Sequence, residues 1–521
     1  MISANLKKFV TNAAILTAAS LFMRTVGVSF NAYVSRRIGA EGMGLYTLVM
    51  SVYGFSVTFS TSGIHLAVTR LVSEALGRGE SRQVSAIMRR ALLYVLFFGS
   101  IATLCLVFGA GFISERLLRD SRTLWPLRLL GASMLPIGLS TVWSGYFTAV
   151  KRVHKNAATA VFEQAVKIFA VIGGLTLLMP RGLSYACVAL VAGGALAEML
   201  SCLLLFAEYL IDRRRYGLRA GGAAERGLTR QLLHISLPVA MSAYIRSGLL
   251  TVEHLLIPRS LTRGGRTRPQ ALAEYGVLHG MALPVLLYPT AVLYSASGLL
   301  VPEFAERAAR GEWASIRALI GRVLWLTNVF SVSAALLLVV FSRELGMLIY
   351  HSYEVGDYVR LMAFVLPVMF ADHVTDCILK GLGQQVFTMW VNISDSLLSI
   401  FLVMLLLPGM GVAGYAWVII IAEVFNFSFS VGRLAWVSRF PFAWGRGVVL
   451  PLFAATLSAL AVRCCMPMDP ASSSLYWTVM KMLFTVSCYF TTLMLAQPLC
   501  QLPLFSTKKG SGALDKQASI G

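Results

Sequence analysis

Apolar runs of about 20 residues recur along this chain from one end to the other, separated by short polar segments. A run of that length, rising 1.5 Å per residue as an α-helix, crosses a hydrocarbon core of ~30 Å. About fourteen such stretches are present, near 9–35, 43–67, 87–113, 124–149, 156–179, 184–210, 231–257, 274–301, 317–341, 356–380, 387–407, 411–435, 447–466 and 475–497. The pattern predicts an all-α polytopic membrane protein of about 14 transmembrane helices.

Two of these stretches carry a fixed cation deep in apolar sequence. Arg24 has Ser20 four residues before it and Asn31 seven after; Arg246 has Ser242 and Glu253 at the same spacings. Residues so spaced share one face of a helix, so each helix carries a polar stripe. An arginine in a bilayer costs roughly 2.5–3.5 kcal/mol on insertion scales and normally faces protein or a wet cavity. Two in matching places predict a cavity built for an anion, with Arg24, Arg246, Asn31, Glu253, Ser20 and Ser242 lining it. The alternative is that each arginine pairs internally, Arg246 with Glu253 for instance.

The match between the two stripes extends into an internal repeat. Ala40-Glu41 answers to Ala273-Glu274, Ser62-Gly63 to Ser297-Gly298, Gly79-Glu80 to Gly311-Glu312, Glu163 to Asp395, and Tyr185-Ala186 to Tyr415-Ala416. The order and the steady offset carry the inference. Parallel repeats of about six helices predict two lobes around a central cavity that rock against each other. The expected organisation is an N-terminal lobe over 1–212, a cytoplasmic linker over 213–230, a C-terminal lobe over 231–440, an extra helix pair over 441–500 and a polar tail over 501–521. Glycine pairs at 173–174 and 193–194 predict close helix packing.

Composition agrees with a membrane protein: 57% of the residues are hydrophobic, 13% are charged, and the mean hydropathy is +0.73. The net charge of +21 does not indicate nucleic acid. With a cytoplasmic N-terminus, the basic residues fall about two to one in the inner segments, which is the positive-inside bias. Both termini are then cytoplasmic, the location is the cytoplasmic membrane, and anionic lipids are the partners of the inner charges. One outer segment breaks the rule: Arg259, Arg263, Arg266 and Arg268 mark either an outer-face site or an error of topology. Lys7-Lys8 before the first apolar run resembles a signal peptide, but Arg24 interrupts the run and predicts an uncleaved span. The eight cysteines show no metal or disulfide spacing.

Other polar residues in apolar helices have two readings each. Glu163 and Lys167 stand four apart in acid-first order, which suits an ion pair or, alternatively, a coupling site. Asp372, Asp376 and Lys380 share a face and predict a gate, a structural pair or a cation site facing away from lipid. No catalytic constellation, metal spacing or nucleotide loop is present, so neither enzyme activity nor a cofactor is expected beyond a coupling ion, Na+ or H+. An integral-membrane glycosyltransferase would need a large polar loop with paired acids. A cation-coupled drug exporter would favour acids over arginines in the cavity.

The stretch Phe22-Met23-Arg24-Thr25-Val26-Gly27, then Ser35-Arg36-Arg37-Ile38-Gly39-Ala40-Glu41-Gly42-Met43-Gly44-Leu45-Tyr46, then Leu71-Val72-Ser73-Glu74-Ala75 and Gly79-Glu80, resembles the stage V sporulation protein B family. These are oligosaccharidyl-lipid flippases of the multidrug/oligosaccharidyl-lipid/polysaccharide (MOP) exporter superfamily. The resemblance implies that superfamily's two-lobed fold. It also implies a lipid-linked sugar as substrate, an undecaprenyl-pyrophosphate-linked envelope precursor, with peptidoglycan precursor the leading candidate. In the related MurJ-like lipid II flippases, Arg24 matches the first cavity arginine and Arg36 a later one. That family's Arg-Asp pair is Phe30-Asn31 here, and its second-helix arginine has no counterpart around Val57–Thr58. The resemblance therefore implies a cavity less cationic than a lipid II flippase's.

Overall fold

A computed structural model of the chain describes residues 2–215, 227–440, 445–465 and 474–496. The expected linker 213–230 lies mostly, and the tail 501–521 wholly, outside the described residues. Among the described residues the secondary structure is helical, without strands. Within those residues helix occupies most of each of the fourteen apolar stretches, but not as fourteen straight rods. Ten helices among the described residues are both long and apolar enough to cross a membrane, or eleven if the bent pair Tyr353–Ala363 and Leu366–Gly381 is one crossing. That pair turns by 55°, and Pro367 opens its second half where a missing N–H costs least.

The first two predicted spans lie on one continuous helical run, Ile2–Thr61, broken at Gly39. Gly39 has φ 72° and ψ 179°, a conformation that only glycine adopts freely. The break falls in the predicted connector, so the helix that follows can reverse through the bilayer. The predicted span 274–301 is also interrupted. A π-helical segment, Gly276–Ala282, leads into a short helix, Leu283–Leu286, a turn at 287–289 and a new helix, Thr290–Ala309. Pro289 contributes to the interruption, because it has no N–H to give the preceding turn.

The chain forms two compact units, each discontinuous in sequence. One comprises 1–28, 282–391 and 419–521; the other comprises 29–281 and 392–418. In the second unit a core of Ile64, Val68, Val72, Val95, Trp143, Phe147 and Tyr209 binds several helices. There Gly44 meets Gly276 so closely that a Cβ on Gly44 would lie 1.9 Å from the Leu272 carbonyl oxygen, and one on Gly276 would lie 2.1 Å from that of Ala40. Leu272 and Gly276 each follow Ala40 and Gly44 by 232 positions, near the offset of the internal repeat. In the first unit the C-terminal helices Leu450–Cys465 and Leu475–Ala496 pack on Trp313–Val340, and the Tyr489 hydroxyl donates to the Val329 carbonyl at 3.2 Å. Large apolar side chains such as Phe108 (79% exposed) and Phe169 (76%) face outward, as lipid-facing residues do.

Candidate functional site

Each unit carries its own set of polar groups inside long apolar helices. In the first unit, Arg24 is part-buried and its Nη2 donates to the Leu287 carbonyl at 2.8 Å. Thr25 Oγ1 and the Tyr288 hydroxyl are 2.9 Å apart. Both contacts fall on the turn that interrupts the helix, where the Leu287 carbonyl also accepts from Thr290 N at 3.1 Å and Thr290 Oγ1 at 2.6 Å. A guanidinium has five N–H donors, so one bond to a carbonyl leaves donors for the oxygens of a ligand. The same unit holds the acids of Leu366–Gly381. Asp376 is buried, lies 3.7 Å from Lys380 and accepts from Ser430 Oγ at 3.5 Å. Asp372 is buried on the same helix, and His373 Nε2 is 3.1 Å from Ser297 Oγ.

In the second unit, Arg246 is exposed on Leu228–Arg263, and Asp395 lies in its field. Two turns on, Glu253 accepts from the Tyr415 hydroxyl at 3.3 Å and interacts electrostatically with Asp395. His254 Nδ1 is 2.8 Å from the Tyr275 hydroxyl, and its ring sits 4.7 Å from that of His279. Asn31 Nδ2 donates to the Gly280 carbonyl at 2.6 Å, inside the π-helical segment. Two acids, one arginine, two tyrosines and two histidines thus meet where Leu228–Arg263 packs.

A separate polar cavity of about 450 Å³ opens in the same unit, lined by Tyr53, His65, Asn156, Glu163, Glu198 and Ser201 among others. The Tyr53 hydroxyl donates to Glu198, and Ser201 Oγ donates to Glu163 at 2.9 Å. Lys167 and Glu163 both act electrostatically on Glu198.

A profile of the family described as "Polysaccharide biosynthesis protein" matches residues 9–307, more than half of the chain. The chain belongs to that polysaccharide biosynthesis protein family. It is 27% identical over 422 residues to stage V sporulation protein B of Bacillus subtilis (strain 168), covering 80% of this chain and 81% of that one. Its fold matches the inward closed conformation of lipid II flippase MurJ with a TM-score of 0.68 at 13% identity, over 93% of this chain and 99% of that one. It also matches the inward-facing conformation of a MATE family multidrug resistance transporter of the MOP superfamily, with a TM-score of 0.64 at 12% identity, over 82% and 99% of the two chains.

For this member of the polysaccharide biosynthesis protein family, the predicted site residues divide between the units. Arg24 falls in one and Arg246 in the other, each with partners of its own. Ser20 is exposed; Ser242 donates to the Val239 carbonyl of its own helix at 2.9 Å. The alternative pairing of Arg246 with Glu253 does not form among the described residues: Asp395 is the acid in the Arg246 field, and Tyr415 is the donor to Glu253. Glu163 likewise takes its bond from Ser201 on the neighbouring helix rather than from Lys167. Sequence spacing missed Tyr53, Ser201, His254, Tyr275, His279 and Tyr415. Tyr53 and Glu198 are 145 positions apart, and no local period links them.

Proposed function

We propose that this protein moves an undecaprenyl-pyrophosphate-linked sugar across the cytoplasmic membrane by alternating access, with Arg24 and Arg246 holding the pyrophosphate and no chemistry done on it. The observation that carries the reading is Arg24: a part-buried guanidinium in an apolar helix, tied by one donor to a helix interruption. Guanidinium forks bind phosphate oxygens bidentately, and a narrow low-dielectric cavity strengthens that attraction. The similarity to stage V sporulation protein B and to lipid II flippase MurJ supports a lipid-linked substrate. The two six-helix lobes, the inward-facing termini and the contact of the inner basic residues with anionic lipids belong to the same proposal. Coupling to Na+ or H+ would fall to acids away from the arginines, Glu163 and Asp376 among them.

The test is flipping by the purified protein in liposomes. Arg24→Ala should nearly abolish it while leaving the protein inserted, since losing one partner of a buried charged contact costs about 2–5 kcal/mol. Arg24→Lys should restore it only in part, because an ammonium lacks the planar fork. Full flipping by the Arg24→Ala, Arg246→Ala double variant would remove the reading.

A further inference from the structure

The arginines that break the positive-inside pattern do not stand alone. In the second unit, the end of Leu228–Arg263 and the start of Arg268–Tyr275 meet the segment 113–123. Arg259 Nη2 donates to the carbonyls of Arg116 (2.8 Å) and Leu117 (2.5 Å), and Arg268 Nη2 donates to that of Leu118. These three carbonyls end the π-helical segment Ile113–Leu118, where the backbone presents negative ends. Arg122 is taken by Asp120 at 2.7 Å and Glu41 at 2.8 Å, and Arg266 by Glu274 at 3.1 Å.

Three guanidiniums are left over, those of Arg116, Arg119 and Arg263, and of these Arg119 and Arg263 act on Arg259. Arg119 and Arg263 are exposed and hold no partner among the described residues. Arg259 lies in the field of both, and Arg268 in the field of Arg259, Arg122 and Arg119. The linked group is five arginines, 119, 122, 259, 263 and 268, against two acids, Asp120 and Glu41. Arg119 also stands in left-handed backbone, φ 54°, where glycine or asparagine is the ordinary choice. Stability explains Arg259, Arg268 and Arg122, whose donors cap carbonyls or meet acids. It does not explain two more cations placed in the same field, on the face that the charge bias makes the outer one, whose loops ordinarily lack basic residues. A surplus of one sign concentrates the opposite one.

We propose that this arginine face is a binding site for a phosphate-bearing group, held by Arg119 and Arg263 over the anchored guanidiniums of Arg259 and Arg268. The group is either the pyrophosphate of a lipid-linked sugar or the head of an anionic phospholipid. The site stands whether or not Arg24 and Arg246 hold a pyrophosphate.

The experiment uses full-length protein in phosphatidylcholine nanodiscs, with inorganic pyrophosphate as the calorimetric probe at low salt. The background is the Arg24→Ala, Arg246→Ala variant, so that the proposed cavity site is silent. Adding Arg119→Gln and Arg263→Gln should weaken the remaining binding about tenfold or more. Arg119→Lys with Arg263→Lys should retain most of it, and because both residues lack protein partners the melting temperature should not move. Should the glutamine pair fail to fold, the lysine pair and loss of binding on raising salt carry the test. Competition by added phosphatidylglycerol identifies the phospholipid as source; indifference to it identifies the pyrophosphate lipid. No binding in the background, or binding unchanged by the glutamine pair, overturns the proposal. Binding lost with Arg119 and Arg263 but not with Arg24 and Arg246 supports this site and sinks the cavity reading alone.

Discussion

Asp212 is 3% exposed and meets two cations, Arg152 at 2.7 Å and Lys155 at 3.1 Å. Removing one partner of a buried ion pair strands the other charges and costs about 3–5 kcal/mol. Asp212→Asn should lower the unfolding free energy by about 3 kcal/mol, measured from denaturant curves in detergent; an unchanged midpoint would show that the pair contributes nothing. Asp120 adds a pH dependence. Burial raises its carboxyl, but the side-chain and backbone hydrogen bonds from Arg122, with the charges of Arg122 and Arg268, together outweigh that and hold it below the usual carboxylate range. A depressed folded value stabilises above the unfolded value of about 3.9 and loses that contribution as pH falls through the folded one. The stability difference between the parent and Asp120→Asn should therefore be constant from neutral pH down to about 5 and shrink below about 4. A difference that shrinks on raising the pH instead would contradict the ion pair.

At the scale of the helix, sequence foresaw the apolar runs and only part of what bends them. Length and hydropathy suffice for a lipid-facing helix, because lipid asks nothing of the outer side chains but apolarity. Gly39 fell in an expected connector. The interruption at 287–289 did not, since the run around it is largely apolar and only Pro284 and Pro289 signal a break. The same limit explains the site. A cation in an apolar stretch is visible by composition, as Arg24 and Arg246 are, whereas its partners come from remote helices, as Leu287 and Asp395 do. Of the glycine pairs expected to pack, one member of each does. A Cβ on Gly193 would lie 2.5 Å from the Val171 side chain and one on Gly174 3.2 Å from Ala189, while Gly173 and Gly194 have open space. Gly→Ala should therefore change sign with position. At Gly44, where the clash is with backbone, it should destabilise by about 1–3 kcal/mol or more. At Gly173 it should stabilise by up to about 1 kcal/mol through helix propensity. Equal effects at both positions, in thermal unfolding, would undo the packing argument.

At the scale of the whole chain, the connectors meet by parity within the second unit. Glu41 reaches Arg122, Ser184 Oγ reaches the Arg122 carbonyl at 3.5 Å, Arg259 reaches Arg116, and Gly264 lies against Pro408. These residues lie in the first, third, seventh and eleventh connectors of the predicted order or, for Ser184, directly after the fifth. Arg152, Lys155 and Asp212, from the fourth and sixth, meet one another. Connectors of unlike parity would meet if one intervening stretch failed to cross. One stretch in doubt is Leu124–Ala149, which among the described residues is not one of the ten helices apolar enough to cross by composition. Its 26 residues at 1.5 Å each span ~39 Å, and its ends carry connectors of opposite parity. It should therefore cross, with Lys151 on the cytoplasmic side and Arg263 outside by the charge bias. In a variant whose native cysteines are replaced, Arg263→Cys should react with a membrane-impermeant maleimide in intact cells, and Lys151→Cys only after permeabilisation. Reaction of both from one side would mean that Leu124–Ala149 does not cross; reaction in the reverse order would keep the crossing and invert the orientation, placing the arginine face in the cytoplasm.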